Sequence, residues 1–297
     1  MIQELVCPRN EAPKTAENFL KKRFPIGYVR KLFRKNAVKL NGNRCKPKDI
    51  TRAGDILRLL IPFDSRTHKP APRVAPDIAL EVVFENQDLM VVNKPAGLAV
   101  HEGKTVAAPH SVLGVLQARH AFTAGPPKLV HRLDKETSGL LLVAKNDRAA
   151  AELQLQFEAG SVDKEYRALV VGRMQPRTGK IDLPLPGRDG NPVAALTFYH
   201  VEKEFDGSAL LRVRIKTGRM HQIRLHFAGI GHPVVLDSQH GDFAFNKTFR
   251  KVHGLKRQFL HACSISLTYK GEKWSWAATL PADLRQTLTS LSSRLPG

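Results

Sequence analysis

The sequence is poor in the features that mark secreted, membrane-spanning and disulfide-bonded proteins. Its 297 residues contain three cysteines, which lie far apart and match neither a disulfide framework nor a zinc motif: Cys7, Cys45 and Cys263. The N-terminus lacks the apolar core of a signal peptide, and no apolar run is long enough to cross a bilayer. We therefore expect a cytoplasmic protein with no membrane partner.

The usual sequence signals of cofactor chemistry are also missing. No glycine-rich phosphate loop is present, so the sequence predicts no nucleotide cofactor. Histidines are numerous, but no His-Glu-x-x-His motif or carboxylate cluster accompanies them. His221 and His226 lie five residues apart, which is a poor spacing for one helix face. The sequence therefore predicts no metal site and no other cofactor.

Acidic residues are scarce relative to basic ones. Asp and Glu number 27 against 47 Lys and Arg, which leaves a formal net charge of +20 at pH 7. A charge of this size exceeds what the solubility of a small domain requires, and it favours a polyanionic partner, most simply a nucleic acid. The hydrophobic content of 42% is typical of a globular protein with a sizeable core.

The N-terminal part predicts a small basic domain. Helices are predicted over 15–24 and 27–35, followed by a hairpin at Asn41-Gly42 and a strand over 56–61. The second helix and the hairpin carry basic residues that would contact the phosphate backbone of a nucleic acid: Arg30, Lys31, Arg34, Lys35 and Arg44. The alternative is a solvated helix face, which we disfavour because the charges continue onto the hairpin.

A proline-rich stretch divides the sequence. Four prolines lie there among polar and basic residues, which is the composition of a stiff linker: Pro62, Pro70, Pro72 and Pro76. We therefore predict domains at 1–62 and 79–297, joined by a linker over 63–78. In the second domain, many strands with few intervening helices predict an α+β fold with a mixed, largely antiparallel sheet.

The segment from His131 to Lys145 combines a polar turn with a buried strand. Its first half is polar and turn-forming, and its second half is an apolar run. Asp134 therefore lies at the entrance of a strand, between Arg132 and Lys135, where a carboxylate could act as a nucleophile held ionised by nearby cations. The alternative is a salt-bridged turn residue, which is the more common role of an aspartate between two basic residues.

Four motifs in order resemble the RluA-type family of pseudouridine synthases. They are Asn93-Lys94-Pro95-Ala96-Gly97, His131-Arg132-Leu133-Asp134 followed by Thr137-Ser138-Gly139, Lys164-Glu165-Tyr166, and Gly218-Arg219-Met220-His221-Gln222-Ile223-Arg224. Each motif alone is weakly specific, but together they give a resemblance that spans most of the second domain. It implies an enzyme that flips a uridine out of the RNA stack and isomerises it to pseudouridine.

The resemblance also implies roles for single residues. Asp134 would be the catalytic carboxylate, Arg224 its ion-pair partner, and Tyr166 the aromatic residue that packs against the flipped base. Arg132 would enter the RNA as the target flips, and Arg219 would bind RNA. The motifs leave open whether Asp134 attacks the sugar, attacks the base or removes a sugar proton. From the residues alone, Arg224 could equally contact phosphate, and Tyr166 could be a core residue.

Two further resemblances narrow the expected substrate. The N-terminal segment resembles the small RNA-binding domain first described in ribosomal protein S-four, which several members of the family carry. The stretch from Gly231 to Asp242 resembles members that modify large-subunit ribosomal RNA, although His240 stands where many members have tyrosine. We therefore expect a monomeric enzyme that isomerises uridines in large-subunit (23S) ribosomal RNA. The alternatives are a transfer RNA synthase of the same family and a non-catalytic RNA-binding ribosome-assembly protein.

Overall fold

Two units separate in the computed structural model, one over residues 1–73 and the other over 74–297. The structure describes residues 2–8, 12–24, 26–60, 78, 80–102, 108–119, 122, 125–187 and 189–293. The proline-rich linker predicted over 63–78 lies outside these residues except for its last position. Its structure and the domain limits drawn from it therefore stay predictions.

The first unit combines a small sheet with two short helices. Its strands are β1 (Ile2–Val6), β2 (Lys14–Thr15), β3 (Val38–Leu40), β4 (Asn43–Arg44), β5 (Ile50–Thr51) and β6 (Ile56–Leu60), and its helices are α1 (Ala16–Lys21) and α2 (Ile26–Arg34). The main sheet has the order β1-β6-β3-β4, and β2 pairs separately with β5. Both helices lie where the sequence predicted them, whereas β1 was not predicted.

Helix α2 is amphipathic, which fixes its inner and outer faces. Val29 and Leu32 are spaced three residues apart and pack in the core of the unit with Leu57 of β6. Arg30 and Arg34 fall on the opposite side and are exposed. The apolar stripe therefore seats the helix, and its basic side chains are left facing solvent.

Local signals also fix the ends of the elements in the first unit. The Thr15 hydroxyl caps α1 by accepting a hydrogen bond from the backbone N–H of Asn18 at 3.2 Å. The β3–β4 hairpin turns at Asn41 and Gly42, whose φ angles of 49° and 85° are both positive. Asparagine and glycine adopt such angles more readily than other residues, so the pair favours a tight turn.

The second unit is built from twelve described strands and five described α-helices. The strands are β7 (Glu81–Glu85), β8 (Leu89–Lys94), β9 (Lys128–Leu129), β10 (Ser138–Ala144), β11 (Asp163–Val171), β12 (Thr178–Ile181), β13 (Leu185–Pro186), β14 (Pro192–Val193), β15 (Thr197–Phe205), β16 (Ser208–Ile215), β17 (Leu260–Tyr269) and β18 (Glu272–Ala277). The helices are α3 (Val112–Arg119), α4 (Asp147–Glu158), α5 (Gln222–Gly229), α6 (Phe243–His253) and α7 (Ala282–Ser292).

One mixed sheet organises the second unit. Its strand order is β12-β15-β16-β11-β17-β10-β8-β7, with β18 added beside β17 and β9 beside β10. Within the described sheet, β10 and β17 run parallel and the other pairs are antiparallel. The predicted α+β class with a mixed, largely antiparallel sheet is confirmed. No helix in the described part of the chain has both the length and the hydrophobicity needed to span a bilayer.

Strand β10 lies between two cores, which explains its continuous apolar run. Leu141 and Val143 contribute to one hydrophobic cluster, whereas Leu140 and Leu142 contribute to another. Because successive side chains of a strand point to opposite faces, a strand covered on both sides must be apolar at every position. The first cluster includes residues of α3 and α5, and the second includes residues of α4.

Gly139 at the start of β10 is required by the parallel pairing with β17. Its φ angle is +115°, and it lies opposite Ala262 in the register. A Cβ atom at this position would overlap the backbone of Ala262. The glycine of the Thr-Ser-Gly motif therefore lets two strands approach closely, and this approach sets where the loop before β10 emerges.

Candidate functional site

A cleft of about 480 Å³ collects the site residues of the second unit. Its walls come from the loop before β10, from α4, from the start of β11 and from the segment that leads into α5. The five residues that the sequence analysis selected in this part of the chain all line it: Arg132, Asp134, Tyr166, Arg219 and Arg224. Residues far apart in the sequence therefore share one concave surface.

Asp134 and Arg224 are in direct contact inside this cleft. The carboxylate oxygen Oδ2 of Asp134 accepts a hydrogen bond from Nη1 of Arg224 at 2.9 Å. The other oxygen, Oδ1, lies 3.8 Å from Nε2 of His221. The Asp134 side chain keeps 20% of its surface exposed, whereas that of Arg224 keeps 6%. Asp134 is thus held at one oxygen and open to the cleft.

Arg224 is anchored on its other side by Asp237. Its Nε and Nη2 atoms donate to the two carboxylate oxygens of Asp237 at 2.6 and 2.8 Å, and Nη2 also donates to Gln239 Oε1 at 3.0 Å. Asp237 is fully buried and accepts backbone N–H bonds from Gln239 and His240 as well. This two-pronged contact fixes the plane of the guanidinium group before it meets Asp134.

The ion pair keeps its charges despite its burial. Burial lowers the pKa of Arg224, but hydrogen bonds and charges from Asp237 and Asp134 outweigh it and leave the pKa above its ordinary value. Burial likewise raises the pKa of Asp237, but Arg224 and two backbone N–H groups outweigh it and hold the pKa below its ordinary value. Both groups are therefore ionised at neutral pH.

Tyr166 lies in the cleft at an irregularity of the sheet. A bulge between Glu165 and Tyr166 interrupts the pairing of β11 with β17. Such bulges commonly redirect a side chain beside a functional site. Burial, followed by the negative charge of Asp134 and by Cys263, raises the pKa of Tyr166 above its ordinary value. The phenol therefore stays protonated at neutral pH.

Lys94 connects the turn after β8 to the loop that carries Asp134. Its amino group is fully buried and donates to the carbonyl oxygens of Pro95, Leu98 and Lys135 at 2.9, 2.9 and 3.0 Å. Burial lowers the pKa of Lys94 to about 7. The Asn-Lys-Pro-Ala-Gly motif thus forms a turn, and its lysine connects that turn to the neighbouring loop.

This chain is similar over most of its length to proteins that are named as pseudouridine synthases. The family described as RNA pseudouridylate synthase matches residues 88–229. Ribosomal large subunit pseudouridine synthase C of Vibrio cholerae is 32% identical over 98% of this chain and 97% of its own length. The protein of that name from Escherichia coli is 32% identical over 91% and 90%. This chain belongs to the RluA-type family of pseudouridine synthases.

Solved structures of two human proteins share the fold of this synthase. Human RNA pseudouridylate synthase domain containing 4 aligns with a TM-score of 0.61 at 28% identity, covering 71% of this chain and 93% of its own. Human RNA pseudouridylate synthase domain containing 1 aligns with a TM-score of 0.57 at 26% identity, covering 68% and 84%. The region matched to the family, residues 88–229, contains Asp134, Tyr166 and Arg224.

The synthase carries a second group of side chains beside the cleft that the sequence analysis did not assign. The imidazole of His131 accepts a hydrogen bond from the backbone N–H of Leu142 at 2.9 Å and stacks on Phe157 at 4.6 Å. Lys164 lies with its amino group 5.3 Å from the Phe157 ring, and burial lowers its pKa to about 8. This cation and ring form one wall of the cleft.

The remaining predicted RNA-binding residues lie on exposed surfaces. Arg132 and Arg219 are exposed at the cleft, where Arg219 also donates to the Ala194 carbonyl at 3.3 Å. In the first unit, Arg30 forms a long contact of 3.5 Å with Glu17. Three further residues there are exposed and have no acidic partner among the described residues: Arg34, Lys35 and Arg44. The side chain of Lys31 lies outside the described residues.

Sequence reasoning missed Asp237 as the main partner of Arg224. Asp237 follows the apolar run Val234–Leu236, so it resembles an ordinary turn residue at the end of a strand. No local pattern separates it from other aspartates, because its partner lies 13 residues away on another element. Within the described residues, no three His, Cys, Asp or Glu side chains converge as a metal-binding group.

Proposed function

We propose that this synthase isomerises specific uridines to pseudouridine in large-subunit (23S) ribosomal RNA. The observation that carries the proposal is the Asp134 carboxylate, which faces the cleft and contacts an arginine already fixed by Asp237. The two relatives named ribosomal large subunit pseudouridine synthase C, each similar over at least 90% of its length, support this choice of RNA. The monomeric state and the independence from nucleotide cofactors stay predictions.

Asp134 is the reactive carboxylate in this proposal. The target uridine leaves the RNA stack and enters the cleft, its N-glycosidic bond breaks, and the rotated base rejoins the sugar through carbon five. The leaving uracil needs no strong acid, so a single carboxylate suffices. Attack on the sugar, attack on the base and removal of a sugar proton each require the ionised form. Arg224 supports that form and fixes its orientation.

Tyr166 and the two exposed arginines position the substrate. The Tyr166 ring lines the cleft and offers an apolar face to a flipped base, and its neutral hydroxyl can donate a hydrogen bond there. Arg132 is exposed beside Asp134, which suits a side chain that enters the RNA in place of the flipped nucleotide. Arg219 is exposed on the segment that leads into α5 and suits a phosphate contact.

Release of tritium from uridine labelled at carbon five tests the proposal. We expect the purified protein to release tritium from 23S ribosomal RNA transcripts, because carbon five loses its hydrogen when it bonds to the sugar. Transfer RNA transcripts under the same conditions are the matched control, and release from them alone would favour the transfer RNA alternative. Release from neither RNA, with binding intact, would favour the non-catalytic ribosome-assembly protein.

We also propose that the first unit is an S-four-type RNA-binding domain that contacts phosphates without reading bases. Its exposed basic residues without described acidic partners support this role: Arg34, Lys35 and Arg44. Affinity for RNA falls as the salt concentration rises, and each phosphate contact adds about 0.7–0.9 to the steepness of log affinity against log salt. Replacing all three residues with glutamine should therefore make this dependence shallower by about 2–3. The control is Arg58→Gln, because Arg58 already pairs with Glu4 in the same unit. An unchanged slope in the triple variant would refute the assignment.

A further inference from the structure

His221 faces the carboxylate oxygen that Arg224 leaves open. Its Nε2 atom lies 3.8 Å from Oδ1 of Asp134, while Arg224 binds Oδ2. Its other ring nitrogen, Nδ1, lies 3.0 Å from Nε2 of His240, and the two rings meet edge to face at 5.2 Å. The three side chains therefore form a chain in the order His240, His221 and Asp134, which ends in the cleft.

The backbone holds His221 in this place at a conformational cost. His221 has a φ angle of 54°, in the left-handed region that residues other than glycine rarely adopt, and it immediately precedes α5. Its ring makes no cap with the helix. Backbone strain of this kind persists where the surrounding structure requires it, and functional sites are where it concentrates. The ring is accordingly directed toward Asp134 and His240 instead of capping the helix.

The contacts of His221 decide which of its nitrogens carries the proton. A neutral imidazole has one N–H group and one lone pair. A lone pair on Nε2 would face the negative oxygen of Asp134, so the favourable arrangement places the N–H on Nε2. Nδ1 is then free to accept a hydrogen bond, and among the described residues the group in contact with it is Nε2 of His240. The position of one proton therefore depends on His240.

The neutral form of His221 is the relevant one near neutral pH. Burial lowers its pKa below the ordinary value of 6.5, and the charges of Arg224 and His240 act in the same direction. Asp134 and Asp237 oppose this shift without reversing it. These four groups come from the loop before β10, from α5 itself and from the loop before α6. The energy of neutral His221 therefore depends on which ring nitrogen carries the proton.

We propose that His240 is a positioning residue, which donates its Nε2–H to Nδ1 of His221 and thereby directs the Nε2–H of His221 at the open oxygen of Asp134. This inference rests on the proposed role of Asp134 as the reactive carboxylate. Both oxygens of that carboxylate would then face a donor, Arg224 at one and His221 at the other. The separation of 3.8 Å is longer than a hydrogen bond, as catalytic contacts often are before substrate binds.

Substitution of His240 separates this role from simple packing. His240→Phe keeps a ring but removes the donor, so the single-turnover rate at pH 7.5 should fall about five- to tenfold, the worth of one hydrogen bond. RNA affinity should stay within about twofold, because His240 is not among the residues that line the cleft. His240→Gln restores an N–H donor and should recover most of the lost rate.

The pH profile supplies a readout that a packing defect would not change. Below the pKa of His221 both ring nitrogens carry a proton, so Nε2–H faces Asp134 whether or not His240 selects it. The rate deficit of His240→Phe relative to the unmodified protein should therefore shrink as the pH falls through the lowered pKa of His221. A deficit that stays constant with pH, together with no recovery in His240→Gln, would assign His240 to packing and overturn the proposal.

Nitrogen NMR of histidine-labelled protein tests the same inference without turnover. We expect His221 of the unmodified protein to carry its proton on Nε2 at pH 7.5, and His240→Phe to show a mixture of both tautomers. A proton on Nδ1 in the unmodified protein would overturn the proposal even if the variants failed to fold. Preserved turnover in Asp134→Asn would instead refute the proposed function, so the two failures are distinguishable.

Discussion

The loop before β10 and the loop before α6 each bring a carboxylate to Arg224, and they hold it in opposite ways. Asp237, on the second loop, is fully buried. Its two carboxylate oxygens accept hydrogen bonds from Nε and Nη2 of Arg224 and from two backbone N–H groups. Its own carbonyl accepts a bond from Asn246 at 3.0 Å. Asp134, on the first loop, is partly exposed and makes one hydrogen bond with Arg224 at 2.9 Å.

The difference shows how one arginine can bind a buried carboxylate that stabilises the fold and, at the same time, orient a second carboxylate in the cleft. A buried charge is stable only when hydrogen bonds satisfy it, and Asp237 has partners at both oxygens. A carboxylate that reacts with a substrate must keep an oxygen accessible, and Asp134 has its open oxygen in the cleft. We therefore expect removal of the Asp134 charge to abolish turnover, and removal of the Asp237 charge to destabilise the fold.

The largest effect is expected for Asp134→Asn. The substitution keeps the size of the side chain but removes the charge that each proposed route requires, so turnover should fall by about 10⁴-fold, at the upper end for a group in acid–base catalysis. RNA affinity and melting temperature should change little, because active-site residues are rarely optimised for stability. Single-turnover isomerisation and thermal melting are measured on one preparation. A lower melting temperature with turnover per folded molecule intact would make Asp134 a structural ion-pair residue.

A smaller effect, on stability, is expected for Asp237→Asn. The amide would place an N–H₂ group against a donor nitrogen of Arg224, and the buried guanidinium would lose its main counter-charge. The free energy of unfolding should fall by about 3 kcal/mol, the lower part of the range for breaking a buried pair. Urea unfolding measures this loss. The control is Asp283→Asn, which breaks the two-pronged Arg257–Asp283 contact at a carboxylate that is 45% exposed. An equal loss of unfolding free energy in both variants would contradict the view that burial makes the Asp237 contact more important for stability.

The smallest effect is expected in the pH dependence of the stability that the ionised Asp237 side chain provides. Its folded-state pKa lies below the ordinary value of 3.8, so its stabilising effect is present above that value and is lost as the pH falls through the folded-state pKa. The difference in unfolding free energy between the unmodified protein and Asp237→Asn should therefore narrow below pH 3.8, by about 1.4 kcal/mol per pH unit until the folded-state pKa is passed. Urea unfolding at pH 7, 5, 4 and 3 would measure it. A constant difference would mean that the charge of Asp237 does not stabilise the fold.

The basic face of β16 shows what the sequence of a single strand cannot predict. Apolar and basic residues alternate along β16, a pattern typical of a half-buried strand with a basic outer face, and Arg212 and Lys216 are exposed. Arg212 pairs with Glu202 at 2.8 Å, however, and Lys216 pairs with Asp163 at 3.2 Å. The acids belong to adjacent strands, so the pattern of one strand could not predict that its charge is partly neutralised. Helices α6 and α7 were also not predicted.

The sequence by itself determined the elements whose signals are local and the motifs whose order is specific. Amphipathic spacing predicted α2, and the four ordered motifs selected Asp134, Tyr166 and Arg224, which the structure brings to one cleft. The helix predictions are confirmed because capping, periodicity and turn formation act between residues a few positions apart, whereas the roles of the three side chains stay predictions. The expectation that these three side chains act together followed from the resemblance and not from any spacing.

Only the tertiary structure decided which further groups surround the Asp134–Arg224 pair that the resemblance had implied. Asp237 binds Arg224 from another element, Lys94 donates to the Lys135 carbonyl across 41 positions of sequence, and His221 lies beside His240 across 19. Such contacts depend on strand order and on the approach of β10 to β17, which no local pattern encodes. Hydrogen bonds act over about 3 Å in space, whatever the separation along the chain, so their partners become known only when the sheet is assembled.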